Sequence, residues 1–174
     1  KLSSSHKNKR WAFIRGSLKH TNLYIESFTH STYDKINNYE KLEFLGDSVL
    51  NTIVSEHLFL KYKSKNEGFF SKSRSNIVGR KNLNKIGKQI IPKELIKHNL
   101  KTIPDNIYGN ILEAVIGAIY LDLGYHKSKE FVKKNILNKT KTTLEKTNYK
   151  SKILEWSQQH NKKIEFINNK QKGP

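Results

Sequence analysis

The sequence predicts an all-α domain. Apolar residues recur at spacings of three and four along almost the whole chain, period-2 alternation is confined to one short stretch near the C-terminus, and heptads and longer internal repeats are absent. The spacing places helices near residues 9–17, 21–28, 39–62, 69–88, 92–97, 107–122 and 126–145. Breaks fall at "HSTYDKINN", at "SKNEG", around Pro92, at "HNLKTIPDN" and at "LGYH", where Gly, Pro, Asn and Asp favour turns. After Lys146 the pattern changes. "YKSKILEWSQQHNKK" reads as a short amphipathic helix with Ile153, Leu154 and Trp156 inward, and "IEFIN" alternates like the start of a strand. The expected division is therefore 1–146 and 147–174. One helix and one strand cannot bury a core alone, so 147–174 is either the beginning of a second domain or an arm that docks elsewhere.

With 174 residues the chain has room for one domain with a sizeable core plus a small appendage. It contains no cysteine, which excludes a disulfide scaffold and any thiolate metal site and permits a reducing compartment. Neither a long unbroken apolar run nor the apolar stretch of a signal peptide is found, so a soluble protein with no membrane partner is expected. The first residue is Lys, which suggests a processed or trimmed N-terminus. The 33 Lys+Arg against 15 Asp+Glu give a net charge of +18, in the sense that attracts polyanions. Nucleic acid is the default partner, set against a Lys/Asn/Ile-rich composition imposed by an AT-rich genome.

Against this basic background, "EKLEFLGDSVLN" (40–51) carries three carboxylates in a helical stretch. At about 100° per residue, Glu40, Glu43 and Asp47 fall within a stripe roughly 60° wide, opposite Leu42, Leu45, Val49 and Ile53. The same stripe continues through Asn51, Val54 and Leu58, so its later half enters the interior and the acids lie at a mouth. A solvated helix start, where the macrodipole favours acids, is the alternative. In "GNILEAVIGAIYLDLG" (109–124), residues 111–121 are apolar or Gly except Glu113. A buried, unpaired carboxylate costs several kcal/mol, so Glu113 needs a partner, stays neutral or faces a cleft. Asn110 lies one turn before it on nearly the same face. Glu43, Asp47, Asn110 and Glu113 form an oxygen-only set suited to Mg²⁺, with Mn²⁺ as a substitute, and a buried Glu113–Lys pair is the rival reading. In a chain of +18, an anionic pocket recruiting Mg²⁺ implies phosphodiester chemistry.

"YEKLEFLGDSVL" (39–50) resembles the signature of the ribonuclease III family, and "GNILEAVIGAIYLDLGY" (109–125) resembles its second block. "SFTHSTY" (27–33) and "NEGFFSKSRSNIVGRKNL" (66–83) agree in order, and "YKSKILEWSQQ" (149–159) is similar to the opening of the double-stranded RNA-binding domain of bacterial members. The resemblance implies an all-α endonuclease domain followed by the incomplete start of an α+β RNA-binding domain. It implies a homodimer that cleaves double-stranded RNA in a valley between subunits, leaving 5′-phosphates and 3′-hydroxyls. It also implies a bacterial cytoplasmic role in processing ribosomal precursors and other structured transcripts, with no small-molecule cofactor. Glu43, Asp47 and Glu113 fall on the family's metal-binding acids, and Asp47 and Glu113 are the indispensable pair. Glu40 and Glu67 match acidic positions nearer the subunit interface and the valley's edge, and Gly46 leaves close-packing room beside Asp47. Asn110 departs from the family's usual Asp. Its neutral carbonyl can still ligate, which predicts an active site with weaker metal binding. A catalytically silent, RNA-binding or ribosomal relative is the alternative.

His30 is read as a hydrogen-bonded structural residue rather than a base. Arg74, Arg80, Lys72, Lys81, Lys85 and Lys88 are read mainly as solvated surface, with phosphate contact by some of them as the alternative, and Trp11 and Trp156 as packing residues.

Overall fold

A computed structural model describes residues 20–140, 153–154 and 156–165. The chain falls into two units, Lys1–Lys139 and Thr140–Pro174, a division somewhat earlier than the one expected from sequence. The described part of the first unit is helical: α1 (Thr21–Ser27), α2 (Glu40–Lys61), α3 (Glu67–Val78), α4 (Arg80–Ile90) and α5 (Asp105–Val132), with a 3₁₀ turn at Lys93–Leu95 and a π turn at Lys133–Leu137. The expected helix at 9–17 and Trp11 lie outside the described residues.

α5 is the central element. Ile111, Leu112, Ala114, Val115, Ile116, Ala118 and Ile119 are fully buried, as are Leu50, Ile53, Val54 and Leu58 of α2. α5 is long and apolar enough to cross a membrane by composition, but 67% of its most apolar stretch is buried inside the protein, as a core helix requires. The two helices touch backbone to backbone. A Cβ on Gly46 would fall on the Glu113 carbonyl, and one on Gly117 would fall on that of Leu42, so glycine at both positions sets the close crossing. α4 packs on α5 through Leu83, Ile86 and Ile90, with Gly87 against the Tyr108 carbonyl.

Three expectations change. The single helix expected at 69–88 is two helices broken at Gly79, whose extended φ −60°, ψ 139° ends α3 and starts α4. The segment at 92–97 is one 3₁₀ turn, Lys93–Leu95, which ends where Ile96 turns extended at φ −80°, ψ 117°; Pro92, lacking an N–H, separates it from α4. In the second unit, residues 153–154 and 156–159 are helical as expected, yet Ile153, Leu154 and Trp156 are 45%, 42% and 50% exposed rather than inward. Trp156 stacks instead on His160, ring centroids 4.6 Å apart. Residues 162–165 are irregular, and the rest of the expected strand lies outside the described residues.

The break expected at "LGYH" is a kink inside α5, where Gly124 adopts φ 80° and ψ −179°, a conformation that side-chain-bearing residues rarely take. The loop before α2 is fixed by backbone bonds. His30 N–H donates to the Lys97 carbonyl, Lys97 N–H to that of Phe28, and Tyr39 N–H to that of Thr29, each at 2.9 Å. These bonds hold the entry into α2, and so the first acids, in register with the core.

Candidate active site

Glu40 and Glu43 sit in the first turn of α2, where the positive end of the helix dipole favours carboxylates. Asp47 follows one turn later and Glu113 faces it from α5 across the Gly46 contact. A cavity of about 160 Å³ is lined by Asp47, Arg80, Asn84, Asn110 and Glu113, closed beneath by Val78 and Leu83. Glu43 lies beside this cavity, partly buried, and its charge acts on Glu113.

The acids disturb one another. Burial, then the charges of Asp47 and Glu43, push the Glu113 carboxyl up to about 8, opposed by Arg80. Glu43 is also raised, by burial first and then by Glu40 and Asp47, with Arg80 opposing. Among the described residues no lysine pairs with Glu113, which removes the buried Glu–Lys pair as its explanation. Asp47 is oriented by Asn51, whose amide donates to Oδ1 at 2.8 Å and to the Asp47 carbonyl at 3.0 Å.

Asn110 is engaged twice. Its Oδ1 accepts from Arg80 Nη1 at 3.0 Å, and its side chain moderates the pKa of the buried Tyr39 hydroxyl, which is raised chiefly by burial. Asn84 places a buried Oδ1, with no partner among the described residues, against Gly109, where any larger residue would overlap it. Among the described residues no three acidic or histidine side chains close around one point as a finished chelate. The set still fits a hard divalent ion: its donors are all oxygen, its acids repel one another, and Mg²⁺ commonly keeps several waters and is held by only one or two carboxylates.

The remaining sequence candidates lie elsewhere. Glu40 is exposed at the start of α2, its N–H capped by Asn38 Oδ1 at 3.1 Å. Glu67 opens α3, binds Ser71, and lines a second cavity of about 670 Å³ with Asn51, Ser55, Glu56 and Arg74. It does not reach the Asp47–Glu113 cavity, although Asn51 is common to Asp47's bond and Glu67's cavity. His30 Nδ1 accepts from Thr32 N–H at 3.0 Å and its ring meets Tyr39 edge-on, the structural role expected of it. Sequence reasoning grouped Arg80 with a basic segment without placing it in this cavity, and it missed Asn84. The usable signal was Gly79: a helix restarted there puts residues 80 and 84 on one face, one turn apart.

A family model described as Ribonuclease-III-like matches residues 20–140. The chain belongs to the ribonuclease III family. It is 42% identical over 135 residues to Ribonuclease 3 of Bacteroides thetaiotaomicron, covering 74% of this chain and 43% of that protein. It is 40% identical over 159 residues to Ribonuclease 3 of Azobacteroides pseudotrichonymphae, covering 85% and 61%. The chain thus spans roughly half the length of these curated relatives. Its fold matches the crystal structure of the nuclease domain of ribonuclease III from Campylobacter jejuni at TM-score 0.69 and 32% identity, over 78% of this chain and 97% of that one. Dicer from Pichia stipitis matches at TM-score 0.60 and 31% identity, over 76% and 60%. In ribonuclease III terms, the described unit is the helical nuclease-domain fold, with both acidic blocks brought to one cavity.

Proposed function

We propose that this chain is the catalytic part of an endoribonuclease that hydrolyses phosphodiester bonds of double-stranded RNA, leaving 5′-phosphate and 3′-hydroxyl ends. The observation that carries the reading is the trio Glu43, Asp47 and Glu113, like charges held together by glycine contacts with no lysine to quench Glu113 among the described residues. Such an arrangement costs stability and is explained by a cationic ligand. Asp47 and Glu113, with Glu43 and Asn110 beside them, would hold Mg²⁺ or Mn²⁺. When bound, the ion supplies neutralisation of the scissile phosphate and a water of lowered pKa.

The chain's own residues do the rest. Asn51 fixes the rotamer of Asp47, the apolar floor at Val78 and Leu83 limits water, and Glu113 releases its proton as positive charge arrives. The +18 net charge draws the RNA backbone in, with shape and phosphates rather than base edges as the recognised features. Structured transcripts, ribosomal precursors among them, fit as substrates, and residues 147–174 fit as the start of a double-stranded RNA-binding domain. The Campylobacter nuclease domain is described with a region involved in dimer formation, and an exposed Phe44 on α2 supports a homodimer here.

A silent RNA-binding relative is favoured by one observation, Asn110 in place of the family's usual Asp. Incubation with long double-stranded RNA and Mg²⁺, beside Glu113→Gln, separates the two. Cleavage by the parent and loss in the variant are expected, and RNA binding without cleavage by the parent would sink the nuclease reading.

A further inference from the structure

Arg80 is a cation in a pocket of acids that pairs with none of them. Among the described residues it makes no ion pair within 4.0 Å, and its one hydrogen bond goes to the neutral Oδ1 of Asn110 at 3.0 Å. The side chain is exposed at the first position of α4 and lines the same cavity as Asp47 and Glu113. A guanidinium has five N–H donors in a planar fork that matches phosphate oxygens. Its one hydrogen bond goes to a neutral oxygen, so the guanidinium keeps its charge and its further N–H donors at a cavity whose acids already feel that charge.

We propose that Arg80 is a substrate-contacting residue that grips an RNA phosphate at the cleavage site, with Asn110 as its neutral anchor. The inference rests on the double-stranded RNA reading above. It gives Asn110 a second meaning. An Asp at position 110 would stand about 3 Å from the guanidinium and hold it as an ion pair, whereas the amide orients it without quenching its charge. The three acids then serve the metal and Arg80 serves the phosphate. This division avoids placing an anionic substrate against an acidic wall with no positive charge of the protein's own.

The test uses the full chain and measures binding to a short blunt double-stranded RNA in Ca²⁺ as a function of KCl, beside single-turnover cleavage in Mg²⁺. Arg80→Gln is expected to reduce the log–log salt slope by about one phosphate contact. It should slow cleavage about ten- to a hundredfold, as loss of one charge-assisted hydrogen bond does. It should also lower the Mg²⁺ concentration needed for half-maximal cleavage, because a positive charge leaves the site. A residue with only a structural role would not move rate and metal demand in these opposite senses. Arg80→Lys should keep the salt slope and regain only part of the rate. Asn110→Asp should reduce the slope while Arg80 is present and not further in the Arg80→Gln background. Wild-type slope and rate in Arg80→Gln, or a slope in Asn110→Asp that is indifferent to Arg80, overturns the proposal. A parent that binds RNA without cutting it sinks the nuclease reading and leaves the slope comparison intact.

Discussion

Gly46 of α2 rests directly on the backbone carbonyl of Glu113 in α5, so a structural contact and a site residue are one feature. Backbone cannot swing aside as a long side chain can. Gly46→Ala must push the helices apart, moving Asp47 and Glu113 away from each other. We expect a loss of about 1–3 kcal/mol in urea unfolding, as overpacking of a filled core gives. Cleavage should fall further than the unfolded fraction accounts for. An Ala variant with unchanged midpoint and unchanged cleavage would show that the site does not depend on this close approach.

Glu113 makes stability depend on pH in an unusual sense. Its carboxyl is pushed up to about 8 from an ordinary 4.5, by burial and then by Asp47 and Glu43. Between these values the folded chain keeps a proton that the unfolded chain has released, so in chelator this group lowers stability as pH rises through the window. Glu113→Gln has no such proton. Its advantage over the parent should be absent below about pH 4.5 and reach about 1–3 kcal/mol above pH 8, a range reduced for the partly open pocket. Thermal melts of both proteins across the window read it directly, and a pH-independent gap would refute it. Added Mg²⁺ should close the gap by pairing with the ionised carboxylate.

Asn110→Asp adds a carboxylate to the metal set and should lower the Mg²⁺ concentration at half-maximal cleavage. Arg80 at 3.0 Å from the substituted position offsets part of that gain by pairing with it. The fall should therefore be larger in an Arg80→Gln background than in the parent. Mg²⁺ titrations of the four proteins in the cycle measure the difference. No change in either background would discard the idea that Asn110 sets the metal demand.

The acids were legible because their cost is written in one dimension. A Glu inside "ILEAVIGAIYL" has no bland apolar explanation, and the 3.6-residue period puts Glu43 and Asp47 on one stripe. Their meeting across the Gly46–Gly117 crossing needed the fold. The place of Arg80 in the site was not legible, since phosphate contact and solvated surface look alike in a basic segment until the Gly79 break turns this residue toward Asn110. The outward Ile153, Leu154 and Trp156 show the opposite error: amphipathic spacing says that a face wants cover, not that cover is present.

Phe44 stands 79% exposed near the start of the helix that carries the acids, between Glu43 and Leu45. Burying a phenylalanine against a partner is worth about 1.5–3 kcal/mol, and a two-fold interface counts each contact twice. Phe44→Asp removes that gain and places a charge where the partner would close. In sedimentation equilibrium we expect the dimer dissociation constant to rise at least about a hundredfold. Helix content should stay at the parental level, because the ring is barely covered within its own chain. Cleavage of double-stranded RNA should fall in step with the dimer and recover at high protein concentration, which a damaged active site would not allow. A variant that dimerises like the parent would move the interface away from this face of α2.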